Sequence, residues 1–146
     1  MNFLTALQAD RVISQIREEP DPSSANGKKL FTKLGKLGPG AIPKILEALS
    51  SADKRQTVEY VEILGALTSD KTLPLVTRGL ADGDPRTVSG TAWALSGNKR
   101  FNVNRLVALL GEDEYSKAAI VEVLQAHKDR LNIRQLLAQS YFLQPS

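Results

Sequence analysis

The side chains that most often perform catalysis are present in this sequence, but not in the combinations that reactions need. There is one histidine, His127, and no cysteine, so the usual ligand sets for zinc or iron cannot be assembled. The serines are scattered without a histidine base, and neither of the glycine-rich phosphate-binding motifs occurs. We therefore expect no catalytic residues, no metal, no cofactor and no enzymatic activity.

Lysines form the one local group with the chemistry to bind an anion. The group has five members: Lys28, Lys29, Lys33, Lys36 and Lys44. Three of them recur at helical spacing, and no acidic residue occurs from 22 to 46. A phosphate backbone could lie along such a stripe. The commoner explanation is a charged, solvated helix face, and the only nearby aromatic residue, Phe31, falls on the apolar side of the helix.

Composition sets the frame for these side chains. The chain has 146 residues, of which 42% are hydrophobic and 24% charged, which is ordinary for a single globular domain. The net charge is only +3, so the balance of charge is weak evidence for a nucleic-acid partner. No signal peptide and no apolar run near 18 residues long occurs, and we expect a cytoplasmic protein without a membrane span.

The elements that carry these residues repeat along the chain. One apolar pattern recurs at offsets of 31, 30 and 30 residues in AIPKILEAL (41–49), TLPLVTRGL (72–80), NVNRLVALL (102–110) and NIRQLLAQS (132–140). Apolar residues at i, i+3, i+4 and i+7 predict a helix for each block. Second amphipathic segments lie between the blocks, in register on Leu34, Leu64, Leu95 and Leu124.

Turn and capping residues divide the repeats into helical hairpins. Asp84 is a candidate N-cap followed by Pro85 at the first helical position, and Gly38, Pro39 and Gly40 predict a helix stop and restart. No alternating strand pattern competes, so we predict an all-α fold. The predicted hairpins span about 2–37, 40–67, 71–97 and 102–127, followed by a terminal helix at about 132–143. That helix either caps the array alone, or the chain is the N-terminal part of a longer array.

These repeats resemble HEAT repeats, specifically the short bacterial kind called PBS-lyase HEAT-like repeats. The resemblance covers about residues 28–140 and is carried by GPGAIPKILEAL (38–49), DGDPRTVSGTAWALS (82–96) and SKAAIVEVLQ (116–125). It implies a right-handed α-α superhelix, or α-solenoid, of about four hairpins plus the terminal helix. It also implies a concave surface lined by the second helix of each hairpin, where a protein partner binds.

The resemblance directs attention to the exposed side of the second helices. The residues two positions before each register leucine are Thr32, Glu62, Trp93 and Glu122. The only tryptophan thus stands where the neighbouring repeats have a polar residue. It is either an exposed anchor for a partner or an indole tucked between repeats.

Two arginines extend this candidate partner-binding site. Arg55 and Arg86 lie 31 residues apart near the starts of two second helices and could bind a carboxylate or phosphate, although solvated charges at helix ends explain them too. The leading interpretation is therefore a non-catalytic scaffold or adaptor that binds a protein through these arginines, Trp93, Glu62 and Glu122. Binding of nucleic acid or an acidic surface through the lysines is the alternative. A weaker one, from the resemblance alone, is a subunit of a bilin lyase-like enzyme.

Overall fold

The computed structural model describes residues 3–132 and 134. Within these ranges all regular secondary structure is helical. The chain contains eight α-helices, four short 3-10 segments and no strand within the described residues, which confirms the prediction of an all-α fold. The predicted terminal helix at about 132–143 lies almost wholly outside the described residues.

The helices are numbered in chain order. They are α1 (Phe3–Glu18), α2 (Ala25–Lys36), α3 (Ile42–Leu49), α4 (Lys54–Leu67), α5 (Leu73–Val76), α6 (Pro85–Ser96), α7 (Asn104–Val107) and α8 (Lys117–Ala126). The 3-10 segments are Pro39–Ala41, Thr77–Ala81, Ala108–Gly111 and Lys128–Arg130.

Each even-numbered helix begins at a side chain that accepts a hydrogen bond from the first turn. The caps are Ser24, Asp53, Asp84 and Ser116, and such caps satisfy backbone N–H groups that have no partner inside the helix. Asp53 also forms a reciprocal capping box with Gln56. The prediction of Asp84 as N-cap with Pro85 at the first helical position is confirmed.

The break between α2 and α3 lies where the glycines predict it. Gly38 has φ of +80°, a conformation that costs an L side chain energy but not glycine. It follows the end of α2, and the next 3-10 segment begins at Pro39.

Two of the predicted first helices are shorter than their apolar pattern indicates. The blocks 72–80 and 102–110 form α5 and α7, each a four-residue α-helix that continues as a 3-10 segment. A Cβ atom on Gly79 would lie 2.0 Å from the hydroxyl oxygen of Thr91. The tighter 3-10 winding there accompanies a very close approach of the segment to α6.

The helices pack in two sets around one apolar core. Each even-numbered helix contacts the next, from α2 to α4, α6 and α8, and α1, α3 and α5 contact one another in the same order. Leu34, Leu64 and Leu95 are fully buried and Leu124 nearly so, so the four register leucines all enter this core.

Side-chain hydrogen bonds link the ends of α6 and α8 to the even-numbered helix before each. Asn98 donates to the carbonyl oxygens of Gly65 and Thr68, the latter at 3.2 Å. Nε2 of His127 lies 2.8 Å from the carbonyl oxygen of Leu95. Asn98 and His127 both stand three residues after a register leucine, and both bond carbonyl oxygens near the end of the preceding even helix, although the acceptors differ in register.

Candidate functional site

An open groove lies between α4 and α6 on the face formed by the even-numbered helices. Its volume is about 930 Å³. It lies along the amino-terminal halves of both helices, so the two helices run side by side in the same direction. We call it the α4–α6 groove, and it is lined by Ala52, Asp53, Lys54, Thr57, Val58, Pro85, Arg86, Ser89, Gly90 and Trp93.

Trp93 is exposed at the edge of this groove. Half of its surface (50%) is open to solvent, as is a similar fraction of Val58 (48%) on the facing helix. Large apolar side chains are usually buried, so two exposed ones give the lining of this groove an apolar patch, Trp93 and Val58. The interpretation of Trp93 as an indole tucked between repeats is therefore wrong.

A second groove meets the first at Trp93. It has a volume of about 600 Å³ and follows the carboxyl-terminal halves of α4 and α6. Glu62, Lys99 and Arg100 are among its lining residues. We call it the Glu62 groove. The indole thus stands between two open depressions that together follow the whole length of α6.

The two arginines of the predicted site have different surroundings. Arg86 lines the α4–α6 groove, and one guanidinium nitrogen donates to the carbonyl oxygen of Ser50 at 3.4 Å. Arg55 instead pairs with Asp21 and donates to the hydroxyl of Ser23 at 3.1 Å. Hydrogen bonds from Ser23 and the charge of Arg55 hold the pKa of Asp21 below its ordinary value. Arg55 therefore pairs with a carboxylate of its own chain, and it does not line the α4–α6 groove.

Glu122 is separate from both grooves. It is exposed on α8, at the repeat position that Glu62 and Trp93 occupy on α4 and α6. The structure thus brings together Trp93, Arg86 and Glu62 of the predicted contacts, and places Arg55 and Glu122 outside the two grooves.

The five lysines of the basic stripe do not form one surface. Lys44 lies on α3 and pairs with Asp10 of α1 at 3.2 Å and with Glu47 at 3.7 Å. The hydrogen bond and charge of Asp10 raise the pKa of Lys44. The other four, Lys28, Lys29, Lys33 and Lys36, are exposed on α2 and have no ion pair with any described residue.

Repeat register explains why two of these lysines are exposed. Lys29 and Lys33 occupy the positions that Gly90 and Ala94 occupy on α6, where both residues are buried. Gly65 of α4 lies close to Ala94. A Cβ atom on Gly65 would be 3.5 Å from the carbonyl oxygen of Ala94. No described even-numbered helix packs on this side of α2, so Lys29 and Lys33 face solvent.

Sequence reasoning missed Val58, the second exposed apolar residue that lines the α4–α6 groove. Val58 stands six residues before its register leucine, where the other even helices have Lys28, Ser89 and Ala118. A valine at this repeat position is the signal that could have identified Val58 as a candidate contact. The groove itself has no sequence signature, because it depends on how far apart α4 and α6 lie.

His127 is a structural residue rather than a ligand. It is 3% exposed, and its ring also contacts Phe101 edge-on at 5.6 Å. Within the described part of the chain no group of three or more histidine or acidic side chains is placed to hold a metal ion. No helix in that part has both the length and the apolarity to cross a membrane.

No protein-family model, curated protein or solved structure matches this chain.

Proposed function

We propose that the chain is a HEAT-type repeat protein, a right-handed α-α superhelix, that binds a protein partner on the face formed by its even-numbered helices. The observation that carries the proposal is Trp93, half exposed between two open grooves. Burying the exposed half of an indole removes on the order of 100 Å² from water, which is worth roughly 2–3 kcal/mol. Interfaces obtain much of their energy from a few such aromatic anchors.

The repeating details of the fold support the superhelical part of this proposal. Every even helix has a polar N-cap, and each contacts the next even helix. Asn98 and His127 stand at the same position of successive repeats, and each bonds a carbonyl oxygen near the end of the preceding even helix. Arrays of this kind bury a continuous core between neighbours and present one long surface.

Capture of partner proteins by the wild-type chain and by a Trp93 variant tests the proposed binding surface. The wild-type chain, Trp93→Ala and Leu7→Ala are immobilised, and the proteins retained from native lysate are quantified. Leu7 is a matched control, because it is 49% exposed but lies on α1. We expect Trp93→Ala alone to lose one or more specific partners while keeping its helical circular dichroism spectrum. Equal capture by all three chains contradicts the assignment of this face.

A second candidate function is nucleic-acid binding through α2. The four exposed lysines of α2 without acidic partners favour it. Its signature is an affinity that falls steeply with salt and is lost on Lys28→Glu with Lys36→Glu. The dispersal of Lys44 to α3 and the lack of an exposed aromatic residue on α2 place this candidate second.

A further inference from the structure

The charges around Trp93 are unbalanced in favour of cations. Lys54 and Arg86 line the α4–α6 groove, and Lys99 and Arg100 line the Glu62 groove. Neither Lys54 nor Lys99 has an ion pair among the described residues. A guanidinium group has five N–H donors, so the bonds of Arg86 to Ser50 and of Arg100 to Ala66 leave most of its donors for a partner.

The carboxylates in the two grooves do not cancel this excess. Asp53 accepts the backbone N–H of Gln56 at 2.8 Å as the cap of α4, so its charge stabilises the start of that helix. Glu62 is the one other acidic side chain among the lining residues. Four cations therefore face one carboxylate that has no capping role.

The cations and the apolar patch have a definite order along α6. Arg86 lies in its first turn and Lys99 just beyond its end, and Trp93 is midway. With a rise of about 1.5 Å per residue, the two basic ends are roughly 15–20 Å apart. An extended chain spans that distance in about five or six residues.

We propose that the occupant of the two grooves is an acidic segment of a partner protein with a bulky apolar side chain near its middle. This rests on the proposed function and adds the chemistry of the partner. The apolar side chain packs against Trp93 and Val58. Carboxylates on one side of it reach Lys54 and Arg86, and carboxylates on the other side reach Lys99 and Arg100.

A random peptide library displayed on phage is the probe, since the partner segment is short. Peptides of about a dozen residues, long enough to span the two grooves, are selected on the wild-type chain, and the enriched ones are synthesised. Their affinities are measured on the wild type, on Trp93→Ala, and on the double variant Arg86→Glu with Lys99→Glu. A second double variant, Lys71→Glu with Lys128→Glu, has the same change in charge, and both residues are exposed and lie outside both grooves.

The expected peptides combine aspartate or glutamate with a central aromatic or large aliphatic residue. Their affinity falls about tenfold or more on Trp93→Ala and by a similar factor in the groove double variant. It changes less than about twofold in the control double variant, and it weakens as salt rises. Circular dichroism of each variant establishes that the helices are retained.

Two results overturn the proposal in different ways. Peptides that depend on Trp93 but show no acidic preference, or that bind the groove double variant as well as the wild type, overturn the acidic partner and leave the proposed function standing. Peptides that bind Trp93→Ala unchanged, or a selection that enriches nothing, remove both.

Discussion

His127 illustrates, at the scale of one residue, how the end of a helix is held. A carbonyl oxygen only accepts hydrogen bonds, so the bond to Leu95 assigns the ring proton to Nε2. Nδ1 is then free to accept from the guanidinium of Arg130 at 3.0 Å. Arg130 also donates to the carbonyl oxygens of Lys99 and Phe101. The imidazole and the arginine together join the end of α8 to the end of α6.

Replacing His127 with alanine should destabilise the fold. The change removes the hydrogen bond to the carbonyl oxygen of Leu95 and the contact of the ring with Phe101, and loss of one such hydrogen bond alone costs about 0.5–1.5 kcal/mol. Urea unfolding followed by circular dichroism measures the effect. Lys128→Ala, an exposed neighbour in the next position, should change stability by less than about 0.5 kcal/mol. Equal stability of His127→Ala and Lys128→Ala would show that the bond to Leu95 contributes nothing.

Tyr60 should make the protein sensitive to alkali. Its ring is buried against Phe31, with centroids 5.2 Å apart, and burial raises the pKa of the phenol from 10.0 to about 12. Below pH 10 the hydroxyl is protonated in both states, so the stabilisation is complete. Between pH 10 and 12 only the unfolded chain loses the proton, and stability falls by about 1.4 kcal/mol per pH unit.

Comparison with Tyr60→Phe isolates this contribution, because the other titrating groups are common to both chains. The difference in unfolding free energy should be flat below pH 10 and shift in favour of the phenylalanine variant by about 2–3 kcal/mol by pH 12. A difference that stays constant across that range would mean that Tyr60 ionises freely in the folded protein.

The roles of single residues were predictable where the residues could be compared at equivalent positions of the repeat. The register leucines identified Trp93 as an aromatic residue at a polar position, but they did not decide between an exposed and a tucked indole, which depends on the packing of α6. The pairing of Arg55 with Asp21 was not predictable, because it joins residues 34 apart across a loop whose path the sequence does not define. The separation of Lys44 from the other lysines has the same cause, since its partner Asp10 lies on α1.

At the scale of the element, the even helices were more predictable than the odd ones. Their caps are side chains next to the helix in sequence, and Asp84 with Pro85 is an unambiguous start. The ends of α5 and α7 depend on tertiary contacts instead. Over nine residues, apolar spacing hardly distinguishes 3.6 from 3.0 residues per turn, and it carries no information on the approach of Gly79 to α6.

A pair of glycine substitutions tests that approach. In Gly79→Ala the new methyl group meets Thr91 at 2.0 Å and Leu46 at 2.9 Å, and overpacking of this kind costs about 1–3 kcal/mol. Gly65→Ala is the matched control, since its methyl group would lie 3.5 Å from the carbonyl oxygen of Ala94, and alanine favours a helix over glycine by about 1 kcal/mol. Thermal unfolding should therefore show a lower midpoint for the first variant and an equal or higher one for the second. A higher midpoint for Gly79→Ala would show that the segment 77–81 moves away from α6 at little cost.

At the scale of the whole molecule, neighbours are distributed unevenly. α6 packs against α3, α4, α8 and the segment 77–81. The beginning of α1 is sparsely covered, with Phe3, Leu4 and Leu7 exposed by 77%, 60% and 49%. Val121 on α8 is also exposed, at a position where Phe31, Val61 and Ala92 are buried. Protection of the backbone should therefore be greatest in the middle of the row.

Hydrogen exchange followed by mass spectrometry measures that distribution. Amides of α6 should exchange last and those in the first turns of α1 first, with opening free energies that differ by about 3 kcal/mol or more. The order follows from nearest-neighbour packing in a row of helices. Uniform protection from α1 to α8 would instead indicate one closed, fully cooperative core and would contradict the proposed superhelix.

The central claim is that a protein partner covers Trp93, and fluorine NMR of the chain labelled with fluorotryptophan tests it most directly. Trp93 is the only tryptophan, so the spectrum contains one protein resonance whose solvent isotope shift reports its exposure. We expect a clear isotope shift for the free chain, and its loss together with a change in resonance position when a selected peptide or captured partner binds. If a partner binds by an independent measurement, such as co-elution, while the resonance and its isotope shift stay unchanged, Trp93 is not part of the binding surface.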